Sequence, residues 1–229
     1  MKSFNELEAE ILHCRQCKRL VQWREKIAKE KVKRFSDWDY WGKPVPGFGD
    51  RNAELLIIGL APAAHGGNRT GRMFTGDRSG DWLYRALFKA GFANQPTSIS
   101  RNDGLILKNC FISASCRCAP PNNKPTSEEL KQCRKFLLSE MQLLRHLKVI
   151  VGLGKIGFET ALSCAQELQL IQFERQPIFG HGVLVSNKNS FHILGSYHPS
   201  QQNTFTKRLT EPMFDSIFTT ANHLIRKSL

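Results

Sequence analysis

The sequence predicts an α/β protein, a three-layer α/β/α sandwich around a mostly parallel central sheet. Three observations carry that expectation. From residue 54 onward, short apolar runs of strand length alternate with longer helical patterns, the order that builds strand–helix–strand crossovers. The runs are apolar throughout, as in strands covered on both faces. The 229 residues, 41% hydrophobic and 23% charged, suffice for one substantial core.

The elements follow in order. Phe4, Leu7, Ile11 and Leu12 recur at near-helical spacing, so residues 4–12 read as a helix. Val21 to Phe35 reads as a second, strongly basic helix, and Trp41 to Asp50, with Gly42, Pro44, Pro46, Gly47 and Gly49, as loop. Residues 1–50 are thus an N-terminal helical extension of a single domain covering 1–229. Strands are predicted at 54–60, 110–115, 148–153, near Val183 and at Phe191 to Gly195. Helices are predicted at Ser79 to Ala90, Ser127 to Leu144, Ile156 to Leu168 and Glu211 to Lys227. Ligands of such sheets sit beyond the carboxyl ends of the strands, which singles out the loops 61–78, 116–126 and 196–208.

Composition narrows the class. Lys plus Arg number 33 against 20 Asp plus Glu, a net charge of +13 that suggests a polyanionic partner. Apolar runs such as Leu55 to Ile58 are too short to span a bilayer, and the N-terminus lacks a secretory pattern. A cytoplasmic protein is expected, with no membrane association. Its seven cysteines then call for burial or metal ligation rather than disulfides. Cys14-x2-Cys17 pairs two thiols on a turn. Cys118 and Cys133 flank a proline loop and a helix whose Thr126 and Glu129 form a capping box that turns Cys133 back toward Cys118. Four such thiolates suit zinc or an iron-sulfur cluster; the long second spacing favours the cluster. Arg15, Lys18, Arg19, Arg117 and Arg134 are candidates to balance its charge. Cys110 and Cys164 read as buried thiols.

Gly152-Leu-Gly154-Lys-Ile-Gly157 matches a dinucleotide fingerprint, though tight turning into a helix explains its glycines equally well. The segment 59–77, GLAPAAHGGNRTGRMFTGD, is more unusual, with five glycines whose backbone can approach a phosphate or a ring edge closely. His198 begins the polar loop after the last strand.

Together, GLAPAAHGGNRTGRMFTGD at 59–77, RCAPPNNKPTSEELKQC at 117–133 and SYHPSQQNTFTKRLT at 196–210 resemble the uracil-DNA glycosylase superfamily, specifically its iron-sulfur family 5, or type b. Family 4 would carry an acidic residue where this chain has Ala63 and His65. The resemblance implies a [4Fe-4S] cluster on Cys14, Cys17, Cys118 and Cys133. It also implies base excision repair by a monomeric, monofunctional DNA N-glycosylase that removes uracil, hypoxanthine, and further xanthine or mismatched thymine, leaving an abasic site. A nucleoid location would follow from DNA binding. The alternative is an iron-sulfur nucleic-acid-binding protein of this fold without catalysis.

Hydrolysis of a base–sugar bond develops positive charge on the sugar and negative charge on the departing base. Asp77, the one carboxylate of the three loops, is expected to stabilise the sugar cation and orient water. His198 is expected to donate to the base oxygen, and Asn123 to contact a base edge. Phe74 would stack on the flipped base, with Ala63, His65 and Gly66 around it. Arg69, Arg72, Gln201, Gln202, Phe205, Lys207 and Arg208 are the predicted DNA contacts, the glutamines and Phe205 also as wedges. Departures from the family pattern are Met73 for a common proline, Lys207 for a common glycine, and Ala114 where family 4 has asparagine.

Overall fold

The computed structural model describes residues 2–187 and 190–227. Ser3 and Glu6 exchange the reciprocal hydrogen bonds of a capping box and start α1 (Phe4–His13). Next comes α2 (Lys18–Glu30), shorter than the predicted 21–35. It ends at Lys31, whose left-handed φ of 53° breaks the helical ladder, and Lys33–Phe35 form a separate 3₁₀ turn. The predicted loop 41–50 contains a strand, β1 (Phe48–Gly49), paired antiparallel with residues 111 and 112.

Strand β2 (Leu55–Gly59) precedes a short α3 (Gly67–Thr70) and α4 (Arg78–Lys89). Then follow β3 (Cys110–Ala114), α5 (Ser127–Leu143), β4 (Val149–Leu153) and α6 (Gly154–Glu167). The chain closes with β5 (Leu184–Ser186), β6 (His192–Ser196), α7 (Gln201–Phe205) and α8 (Glu211–Lys227). Among the described residues the sheet has six strands in the order β1-β3-β2-β4-β6-β5. β3, β2, β4 and β6 run parallel, and the two edges are antiparallel.

Side-chain alternation along the strands builds two cores. Leu55, Ile57, Ile112, Val149, Val151 and Leu194 face α4 and α8, while Leu56, Ile58, Phe111, Ile150 and Ile193 face α5 and α6. Each such side chain, removed from water, contributes about 1.5–3 kcal/mol. The sandwich is therefore three-layered, as predicted. The glycines of 152–157 serve packing. A Cβ on Gly152 would come within 2.4 Å of the Phe158 backbone, and one on Gly157 within 2.5 Å of the Ile58 carbonyl. Those approaches seat α6 on the sheet. At Gly154 a φ of +78° makes the turn beside His198.

Candidate active site

β2 and β6 deliver the two principal residues. The chain leaves β2, loops through α3 and returns to Asp77, the N-cap of α4, whose carboxylate accepts from the Gly80 amide at 3.0 Å. Gly66 lies directly against it: a Cβ there would stand 2.1 Å from Asp77 Oδ2. Burial raises the Asp77 pKa above the ordinary carboxylate value, the Gly80 and Ser79 amides and the Arg69 charge opposing, Asp81 reinforcing.

His198 follows β6 by two residues. Its carbonyl accepts from Asn203 Nδ2 and from the Ser200 amide, both at 2.8 Å, so the base of α7 fixes its position. Burial lowers the imidazole pKa to about 4. The ring is neutral at physiological pH.

Asp77 and His198 line one cleft of about 550 Å³ together with Phe74, Asn123, Gln201 and Gln202. Phe74 lies 5.9 Å from the His198 ring, centroid to centroid, and holds a left-handed φ of 53°. Gly59 and Gly80 make this possible. A Cβ on Gly59 would sit 2.7 Å from the Phe74 ring, and one on Gly80 would meet the Phe74 carbonyl at 1.8 Å. Met73 beneath it is buried, its carbonyl held by Tyr84 Oη at 2.8 Å. Asn123 has a φ of 55°, which asparagine tolerates better than most residues.

Other predicted residues separate. Ala63 lines the cleft, but His65 and Gly66 line an adjoining chamber; His65 Nδ1 pairs with Tyr40 Oη at 3.1 Å. Lys207 and Arg208 are exposed beyond α7, Arg208 lying 4.7 Å from the Tyr197 ring. Phe205 is 62% exposed beneath the Arg78 guanidinium, 4.4 Å from its centroid. Lys207 adopts a φ of 57°, the left-handed conformation that glycine takes freely.

Two predicted DNA contacts are buried and bonded within the protein. Arg69 is 3% exposed and donates to the His65 and Gly76 carbonyls. Arg72 is equally buried and pairs with Asp103 at 2.8 Å while donating to Thr75, Ser98 and the Arg101 carbonyl. Burial opposes ionisation of Asp103, but Arg72 and the Ile99, Leu105 and Ser100 amides hold its pKa below the usual value. The stability from this depressed carboxylate is present above its unfolded pKa and is lost as pH falls through the folded one. Arg72→Ala leaves Asp103 unpaired and is expected to lower unfolding free energy by about 3–5 kcal/mol without changing the salt dependence of DNA binding. Urea denaturation and a salt titration check the two halves.

The four predicted ligands, with Cys116, line one small cavity walled by Leu20, Val21 and Phe136. The expected charge-balancing arginines already have carboxylate partners: Arg15 with Glu25, Arg19 with Glu129, Arg117 with Glu140 and Arg134 with Glu167. The sequence reading missed Arg24. It is 2% exposed, and its Nη1 donates to Cys118 Sγ at 2.9 Å, Nη2 to the Cys14 carbonyl. The Arg117 amide donates to Cys133 Sγ at 3.2 Å. Hydrogen bonding from Cys116 lowers the Cys133 pKa, whereas burial raises Cys17 to about 11 and Cys118 to about 12. Cys110 and Cys164 are fully buried elsewhere.

A family model described as the uracil DNA glycosylase superfamily matches residues 46–221. The type-5 uracil-DNA glycosylase of Mycobacterium bovis is 50% identical over 223 residues, 97% of this chain and 82% of that protein. That of Thermus thermophilus is 45% identical over 92% of this chain and 93% of its own. A type-4 uracil-DNA glycosylase from Archaeoglobus fulgidus is 28% identical over 69% of this chain and 62% of its own. Whole-length similarity to type-5 proteins, against partial similarity to type 4, adds to a cleft built from the same three loops: the chain belongs to the uracil DNA glycosylase superfamily, in its type-5 branch.

Proposed function

We propose that this protein excises uracil and other deaminated bases, hypoxanthine and xanthine among them, and mismatched thymine, from DNA by hydrolysis. The observation that carries the reading is the meeting of Asp77 and His198 in one cleft with an aromatic side chain. A flipped base enters beside Phe74 and regains stacking there. As the base–sugar bond lengthens, the ionised Asp77 faces the growing sugar cation and orients water toward it. Neutral His198 donates a hydrogen bond to the base oxygen that gains charge. Water supplies the sugar hydroxyl, its proton passes by way of Asp77, and the base anion leaves to be protonated by solvent. Ala114, buried at the end of β3, offers no polar group to select a base, which favours a broad range. Gln201 and Gln202 at the mouth suit a wedge, and Lys207 and Arg208 suit phosphates.

The test is base release from duplexes carrying uracil, hypoxanthine, xanthine or mismatched thymine, each opposite every partner base. Release of uracil and at least one other base is expected. DNA binding without any release would favour the non-catalytic alternative.

For the thiol cavity the proposed occupant is a [4Fe-4S] cluster held by Cys14, Cys17, Cys118 and Cys133. Buried Arg24, with no carboxylate nearer than 3.9 Å, needs anionic sulfur beside it. The fourteen residues between Cys118 and Cys133, where a zinc ribbon has a second short pair, favour a cluster over zinc. When bound, the cluster supplies a structural crosslink between the N-terminal helices and α5. Cys118→Ser is expected to reduce iron content and the visible absorbance together with the thermal midpoint; a colourless zinc protein would overturn the assignment.

A further inference from the structure

A second chamber adjoins the cleft. It holds about 630 Å³ and shares Ala63, Asp77, Arg78, Asn123 and Gln201 with it, so both open onto Asp77. Its outer wall comes from the N-terminal extension, which the chemistry at Asp77 and His198 does not use: Arg34, Phe35 and Trp38. The two rings meet edge-on, centroids 6.3 Å apart at 79°. In their corner sits the Arg69 guanidinium, 3.9 Å from the Phe35 centroid and 4.0 Å from that of Trp38. Arg69 Nη1 is buried without a protein partner. Arg34 is exposed over the outer side, 5.0 Å from the Phe35 ring, and across the chamber Ile99 is 62% exposed.

We infer that this chamber binds the nucleotide next to the excised one, its base against Phe35, Trp38 and Ile99 and its phosphate toward Arg34. The inference rests on the base-excision reading above. A strand that presents a sugar to Asp77 continues on either side of it, and the chamber is the open space on one of those sides. Aromatic faces interleaved with arginines are what single-stranded nucleic acid takes, because every base has a stacking face and every linkage a negative charge. Arg69 holds the two rings at their angle, and with Arg34 and Arg78 it sets three cations on the lining against the carboxylates of Asp77 and Asp81. The extension is thereby a DNA-contacting element as well as the carrier of Cys14 and Cys17.

The test uses single-stranded oligonucleotides that either end at the uracil nucleotide or carry one more nucleotide, on each side in turn. In the wild type, restoring the nucleotide on one side is expected to speed single-turnover base release about tenfold. Trp38→Ala and Phe35→Ala should erase most of that ratio, whatever they do to the rate on the short substrate. Arg34→Ala should lower the salt slope of binding by about one. An oligonucleotide with a tetrahydrofuran abasic analogue should quench tryptophan emission, and Trp38→Phe, which keeps an aromatic ring on Arg69, should remove that quench. A ratio that survives in Trp38→Ala, or a quench that survives in Trp38→Phe, overturns the inference. If Trp38→Ala does not fold, Trp38→Phe and Arg34→Ala decide. A wild type that releases no base refutes the excision reading instead, and the fluorescence titration still reports on the chamber.

Discussion

Asp77→Asn is expected to slow single-turnover base release by on the order of 10³-fold while making the protein more stable at neutral pH. The two effects share one cause. Burial raises the Asp77 pKa, so the fold prefers this carboxyl protonated, whereas the reaction needs it ionised. A raised carboxylate pKa means the folded state holds more protons than the unfolded one in the window between their two values. Stability from this group is therefore present at low pH and falls as pH rises through that window. Asparagine removes the conflict and still caps α4. The excess stability of the variant should shrink as pH is lowered, and the acid limb of wild-type activity should lie above the usual carboxylate range. Gly66→Ala probes the same carboxylate without touching it, since the added methyl would lie 2.1 Å from Oδ2. Relieving that contact moves the carboxylate by about 1 Å, a misplacement that costs about 100-fold in rate. Thermal melts, single-turnover rates and their pH profiles check all three; equal activity of wild type and Asp77→Asn would overturn the role.

His198→Ala is expected to cost about 10²–10³-fold in rate, or ~2.7–4 kcal/mol of transition-state stabilisation. The imidazole acts as a neutral donor because burial lowers its pKa to about 4. Raising pH from 6 to 8 should therefore leave its contribution unchanged. A histidine with lowered folded pKa stabilises the fold above its unfolded value and loses that contribution as pH falls toward 4. His198→Gln can still donate through its amide and should recover part of the rate. A wild-type rate that falls between pH 6 and 8 while His198→Gln stays flat would show that the cation, not the neutral ring, acts.

The strands β2, β3 and β4 were legible because each is an unbroken apolar run, and burial on both faces leaves no other use for such runs. β1 was not, since two residues carry no periodicity and its pairing is set by a partner more than sixty positions away. Asp77 and His198 were visible as chemistry-bearing residues in the loops that follow two strands. Arg72 misled: its partner Asp103 lies across a tertiary contact, and nothing local distinguishes a buried arginine from one that grips phosphate. Arg24 escaped for the same reason, because its partner is a sulfur 94 residues away. The aromatic wall could have been found. Lys33, Arg34, Phe35 and Trp38 interleave cations with rings, a pattern that reads as nucleic-acid contact once the helix is known to stop at Glu30.

The thiol cavity also has a history during synthesis. Cys17 is 115 residues upstream of Gln132, its neighbour on α5. At translation speeds of about 5–20 residues per second, the first two sulfurs emerge from the ribosome on the order of ten seconds before the helix that completes their enclosure. Through that interval the two thiols stand open to solvent, and any delay in forming the sheet lengthens the exposure of the nascent chain.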